Sequence, residues 1–211
     1  MSLWDDEIVE TKSTQKPTQA KIHALYPTMV YENDLDDVEK INQEIDSIID
    51  SVRFTSMDEW NNPHLLSEGL FVDDVITNYN LKVFSKVLSK NIKAYMLGLK
   101  SFNPNMSYTR QSWFTKCTKG HYAHVHNHGA ADISGVYYYK TSGDDGSLFT
   151  QTPNPHLETS KLFFDFGNQT KFPPKVGRLY LFPAWLKHGV YKNLTDNTRI
   201  SLSFNIILDN N

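Results

Sequence analysis

The chain is poor in cysteine, in long apolar runs and in net charge, and each shortage narrows what it can do. A single cysteine, Cys117, among 211 residues permits no internal disulfide and no zinc ribbon, and suits a reducing compartment. No stretch of about 18 apolar residues is present to span a membrane. The segment from Met1 to Glu7 lacks the basic and apolar regions of a secretory leader, so a cytoplasmic location is the expectation. With 21 basic and 24 acidic side chains the formal charge is −3, and neither a nucleic-acid backbone nor an anionic membrane is an expected partner. Internal repeats and low-complexity tracts are absent too. The length suits one domain with a sizeable core.

Histidine, by contrast, is concentrated. Of the 8 histidines, His121, His124, His126 and His128 fall in one short run. In an extended strand side chains alternate faces, so His124, His126 and His128 project to one side while His121, Ala123 and Val125 project to the other. A lone histidine is more often a satisfied core or surface residue, which is the expectation for His23. Three on one strand face, with another at a later strand junction, favour a metal, and any two neighbours of the three suit one ion. His188 follows the apolar segment Leu179–Phe182 and a short turn, and is the natural third ligand. Imidazole suits iron, zinc, copper or nickel rather than magnesium or calcium, and three ligands on one side leave open coordination positions.

The next alternating segment, Thr198–Asn205, puts Arg199, Ser201 and Ser203 on one face. An arginine at a strand end often pairs with a surface carboxylate. One that opens an inward-facing row needs an anion, because its guanidinium is never neutral, and a bound carboxylate satisfies it with two parallel hydrogen bonds.

Residues 1–19 are polar and without periodicity, which predicts a flexible arm. Residues 20–211 read as a single domain, with helical support over 34–100 and a β core over 105–208. Two apolar runs around Pro27 suit an edge strand. Val38, Ile41, Ile45, Ile48 and Ile49 recur at helical spacing behind Asp34, Asp36 and Asp37, predicting an amphipathic helix to about Val52. Phe54 to Phe71 reads as a loop, and Asp73 to Lys100 as a second helix. Strands follow at 108–117, 122–128, 133–139, 148–151, 161–166, 178–182, 189–191 and 199–208, divided by turn residues such as Ser142-Gly143-Asp144-Asp145-Gly146. The expected class is α+β, mainly β: a jelly-roll or double-stranded β-helix, cupin-like, with the two helices packed on one sheet. Trp113 and Trp185 are expected in the core. Strand parity places Asn127, Gln151 and Asn205 at the pocket.

Two histidines two residues apart, the Val136-Tyr137-Tyr138 strand, the segment Gly177-Arg178-Leu179-Tyr180-Leu181-Phe182-Pro183, the distal His188 and Arg199-x-Ser201 together resemble the 2-oxoglutarate and Fe(II)-dependent oxygenases. The resemblance runs from about Gln111 to about Ile207 and is nearest to the group found in phages and marine bacteria, with prolyl hydroxylases as more distant relatives. It implies Fe(II) held by His126, His128 and His188, and 2-oxoglutarate as cosubstrate with its distal carboxylate on Arg199, Ser201 and Tyr138. Dioxygen would be consumed, and a small-molecule or peptidyl substrate of unknown identity hydroxylated. The chain departs from the family in one respect: most members carry Asp or Glu where His128 stands. A three-histidine centre, a register in which His124 and His126 are the pair, and a carboxylate supplied by Asp132 all fit this departure. The alternative function is a cupin-like jelly-roll that binds a metal without oxygenase activity, which has no special need for Arg199. A third is an interaction protein docking a partner through its arm and helices. A homo-oligomer is compatible with all three.

Overall fold

The computed structural model describes residues 21, 27–57, 62–68, 74–100, 106–154, 156 and 168–209. The predicted arm at 1–19, His23 and the strand expected at 161–166 lie outside them. The described strands are β1 (Tyr31–Asp34), β2 (Phe54–Met57), β3 (Asn62–Ser67), β4 (Tyr108–Cys117), β5 (Ala123–His126), β6 (Ile133–Lys140), β7 (Leu148–Gln151), β8 (Gln169–Phe172), β9 (Arg178–Pro183), β10 (His188–Val190) and β11 (Arg199–Leu208). The helices are α1 (Val38–Asp46), α2 (Val75–Asn78) and α3 (Lys82–Gly98).

The strands form a seven-stranded sheet in the order β1-β9-β6-β11-β4-β3-β2 and a four-stranded sheet in the order β5-β10-β7-β8, with antiparallel pairing throughout. Period-two alternation divides each central strand of the large sheet. From β11, Ile200, Leu202, Phe204 and Ile206 join one apolar cluster with Phe114 of β4, Tyr137 of β6 and Leu179 and Leu181 of β9. The same cluster takes in Ile41 and Ile45 of α1 and Phe84, Leu88 and Ile92 of α3, each set at helical spacing. Helices therefore cover this face. Phe84 meets Tyr137 and Phe204 at ring centroid distances of 5.1 and 6.4 Å. Gly135 makes room for this packing, since a Cβ there would collide with the Phe204 ring.

Local chemistry sets the ends of the helices. The segment read as one helix from Asp73 to Lys100 is divided between α2 and α3, because Asn80 adopts φ 56°, a left-handed conformation that asparagine tolerates better than most residues. Glu44 of α1 then accepts hydrogen bonds from the free amides of Val83 and Phe84 at 2.8 and 3.1 Å, placing a negative charge at the N-terminus of α3. The helix expected over 34–52 is likewise shorter. It starts after β1, ends at Asp46, and is followed by a single 3-10 turn at Ile49–Ser51.

Residues 54–71 are not simply a loop: β2 and β3 pair with each other, and β3 extends the large sheet through Leu65↔Lys116 and Leu66↔Thr115. Pro63 and the polar residues around it mask the alternation. β8, with the sequence Gln-Thr-Lys-Phe, has no counterpart among the predicted strands, because a mostly polar edge strand has no apolar periodicity to betray it.

Candidate metal and cosubstrate site

The face of the large sheet turned away from the helices carries the polar half of each alternation. Arg199, Ser201 and Ser203 of β11, Trp113, Thr115 and Cys117 of β4, and Ser134, Val136 and Tyr138 of β6 line a cavity of about 90 Å³ together with His126, His128 and His188. A wider cleft of about 650 Å³, open to solvent, continues from it past His64, Trp113, Asn127 and Asn205.

Strand register brings the histidines together. His188, the first residue of β10, pairs directly with His126, the last residue of β5. His128 lies just past the strand, fixed by its backbone N–H to the Ala184 carbonyl at 2.9 Å. The ring centroids are 4.4 Å apart for His126 and His188, 5.0 Å for His128 and His188, and 5.1 Å for His126 and His128. One ligand atom from each falls within 4.8 Å of the others, so the group could hold a metal ion.

The protonation pattern suits that role. Nδ1 of His126 lies 2.7 Å from the His124 carbonyl, Nδ1 of His188 2.8 Å from the Leu186 carbonyl, and Nδ1 of His128 2.6 Å from Asn205 Oδ1. Carbonyl oxygens only accept, so each Nδ1 carries the proton and donates it, leaving a lone pair on each Nε2. Ser134 also donates to Asn205 Oδ1 at 2.8 Å. Burial, reinforced by the neighbouring His126, pushes His128 down to about 4 and His188 down to about 3. Burial lowers His126 too. All three imidazoles are therefore neutral near pH 7, the state a metal requires.

His124 also borders the open cleft, but its ring packs edge-on against Tyr122 at 4.9 Å and is not in the three-histidine group. Asp132 faces elsewhere: its carboxylate accepts the Leu208 N–H at 2.8 Å and so caps the end of β11. Tyr138 and Ser201 are opposite each other in register and are 2% and 4% exposed; burial pushes the Tyr138 phenol well above its ordinary value. Asn205 serves as a partner of His128 rather than only as lining. Gln151 borders neither cavity and instead pairs with Gln169. Trp185 is 53% exposed rather than core, and Trp113 stacks on His128 with centroids 5.9 Å apart.

Arg199 is 2% exposed. Its Nη1 donates to the carbonyls of Asp145, at 3.1 Å, and Gly146, and its Nη2 lies 3.0 Å from Cys117 Sγ. Among the described residues no carboxylate forms an ion pair with it, and its Nε has no hydrogen-bond partner. Gly146, at φ +101°, lets the backbone approach this closely, because a Cβ there would strike the Tyr191 carbonyl. A buried cation with an unpartnered N–H on a cavity wall is a receptor for an anion.

Sequence reasoning missed His64 and the roles of Trp113, Thr115 and Cys117. His64 is 7% exposed, donates from Nδ1 to the Tyr122 carbonyl at 3.0 Å, and borders both the cavity and the cleft. The signal for Trp113, Thr115 and Cys117 was their shared parity along β4, and that for His64 was its two-residue spacing from Leu66.

Residues 111–205 match a family model described as "Putative 2OG-Fe(II) oxygenase". No curated protein sequence matches the chain. Among solved structures, the fold is similar to an oxidoreductase of the 2OG-Fe(II) oxygenase family from Burkholderia pseudomallei, at TM-score 0.61 and 11% identity, covering 84% of each chain. It is also similar to a prolyl-4-hydroxylase from Pseudomonas putida, at TM-score 0.59 and 14% identity, covering 87% of this chain and 94% of that one. HygX from Streptomyces hygroscopicus, crystallised with nickel and 2-oxoglutarate, aligns at TM-score 0.57 and 13% identity over 85% of this chain and 82% of its own. At these identities the structures establish the fold, and the 2OG-Fe(II) oxygenase model matches residues 111–205, just under half of the chain.

Proposed function

We propose that this chain, a 2OG-Fe(II) oxygenase by its residues 111–205, is a dioxygenase that hydroxylates its substrate at a three-histidine iron centre. The two sheets are read as the double-stranded β-helix of that family, and the core shared by helices and large sheet supports one domain over 20–211. His126, His128 and His188 are assigned as iron ligands, and Arg199, Ser201 and Tyr138 as the seat of the distal carboxylate of 2-oxoglutarate.

The residues fit both groups. Each histidine offers a neutral ring with its proton held on Nδ1, and Arg199 offers an unpartnered Nε–H from a buried position. Iron with 2-oxoglutarate and dioxygen supplies oxidative decarboxylation of the keto acid coupled to oxidation of a substrate C–H bond. The protein's own part is orientation and shielding. Asn205, Leu186 and His124 fix the three rings, Arg199 neutralises and aligns a carboxylate, and the walls formed by Tyr138, Leu148 and Phe182 keep water out. The open cleft beside His126 and His128 is the place for substrate. Three neutral imidazoles leave the centre one unit more positive than two histidines and a carboxylate would, which alters iron affinity and redox potential.

The observation that carries this reading is Arg199: a metal-binding jelly-roll without oxygenase activity has no use for a buried guanidinium that, among the described residues, lacks a carboxylate partner. An anaerobic visible absorption titration with Fe(II), before and after 2-oxoglutarate, tests it. A weak charge-transfer band that needs both and disappears in Arg199→Ala is expected. Iron binding without such a band would favour the cupin-like alternative.

A further inference from the structure

The proposed cosubstrate seat contains a group that the family match does not assign. Cys117 ends β4 directly opposite Arg199 in the β4–β11 register, so the two side chains share a face. The thiol is 2% exposed, lines the same cavity as Arg199 and lies 3.0 Å from its Nη2. Burial pushes it above its ordinary value, so at neutral pH it is a thiol rather than a thiolate.

Counting the guanidinium's hydrogens gives this contact a meaning. Arginine has five N–H bonds. Two acceptors, the carbonyls of Asp145 and Gly146, engage Nη1, and Cys117 Sγ engages one hydrogen of Nη2. The Nε–H and one Nη2–H are left. A carboxylate is held through that pair of atoms elsewhere in the molecule: Arg110 binds Asp74 through Nε at 3.0 Å and Nη2 at 2.7 Å. The sulfur and the two carbonyls together fix the guanidinium plane and leave its Nε/Nη2 side for an incoming carboxylate. With both carbonyls on Nη1, the sulfur is, among the described residues, the one contact that holds Nη2.

We propose that Cys117 is a positioning residue for the cosubstrate, setting the Arg199 guanidinium so that Nε and Nη2 receive a carboxylate, and that a bound carboxylate in turn closes the cavity route by which a reagent reaches the buried thiol. The proposal rests on the oxygenase reading above. It does not require the thiol to react during turnover, and alanine at this position removes the anchor without touching the histidines. Serine, whose hydroxyl oxygen also accepts from Nη2, keeps it.

Two measurements decide the matter. In the anaerobic Fe(II) titration, Cys117→Ala should need roughly fivefold more 2-oxoglutarate to reach half of the charge-transfer band, the size of one ordinary net hydrogen bond. Its Fe(II) affinity should match that of the unmutated protein, and Cys117→Ser should recover most of the loss. An unshifted midpoint in Cys117→Ala, with the band intact, overturns the proposal and leaves the oxygenase reading standing. Absence of the band from the unmutated protein removes both. The second measurement needs no variant. Cys117 is the only cysteine, so the rate of N-ethylmaleimide incorporation reports on this thiol alone. With Fe(II) held anaerobically, 2-oxoglutarate should slow labelling about tenfold, and Arg199→Ala should abolish the protection. An unchanged labelling rate under conditions where the band is fully developed overturns the proposal.

Discussion

The two faces of β11 carry different kinds of information on one backbone. Toward the helices, Ile200, Leu202, Phe204 and Ile206 are packed into the apolar cluster. Toward the cavity, Arg199, Ser201 and Ser203 line the proposed cosubstrate seat and Asn205 holds His128. Eight successive residues thus alternate between a face selected by volume and one selected by chemistry. Substitutions on the first should change stability and spare ligand binding, and those on the second should do the reverse.

The largest separation is expected between His188→Ala and Leu202→Ala. The first should abolish stoichiometric iron binding, measured by metal analysis after anaerobic loading, while the thermal midpoint of the metal-free protein holds or rises. The second should cost about 3–5 kcal/mol in a denaturant titration, the range for a fully buried leucine, with iron content per folded molecule unchanged. Loss of iron in Leu202→Ala at full folding would break the contrast.

Next in size is Asn205→Ala. It releases Nδ1 of His128 from its fixed acceptor and leaves the ring free to turn, so iron affinity should fall about 10- to 100-fold. A competition titration against a chelator reads this directly.

The acid response should be intermediate. An unfolded histidine titrates near 6.5, whereas His128 and His188 in the fold titrate at about 4 and about 3. As pH falls below about 6.5 the unfolded chain takes up protons that these two sites refuse. The metal-free protein should therefore lose stability progressively toward pH 4, and His188→Gln should flatten that slope. Between pH 7.5 and 6 neither His128 nor His188 takes up a proton, so neither should contribute to a change in iron affinity over that range. The smallest effect is expected for Ser201→Ala: a rise of about threefold in the 2-oxoglutarate midpoint, consistent with one neutral hydrogen bond, and no change in iron binding.

The same alternation explains what the sequence made legible. His126, His128, Arg199 and Ser201 stand at two-residue spacings, so their shared faces could be read without knowing the partner strands, and β4 and β11 came out at their observed ends. His64 and Cys117 could not be placed that way. Their proximity to the site depends on β3 joining β4 and β4 joining β11, pairings between segments distant in sequence. β8 and the β2–β3 pair escaped notice because short, polar strands near a sheet edge have little alternation to show. The division between α2 and α3 hinged on the backbone of Asn80, where propensity gave only a weak hint. Asp132 offered a carboxylate of the right type at a plausible distance in sequence, but its capping of the Leu208 amide could be known only from the fold.

The pairing of His188 with His126 has a consequence for how the small sheet assembles. β10 is three residues long, and its ladder with β5 already shifts between His188 and Val190. Slipping such a ladder by one residue would turn His188 to the opposite face, and a ladder this short loses few hydrogen bonds in slipping. An ion held by both histidines is compatible with only one of these alignments. Metal would then act as a proofreader of strand register, separating correctly threaded molecules from those whose small sheet closed one residue out of step.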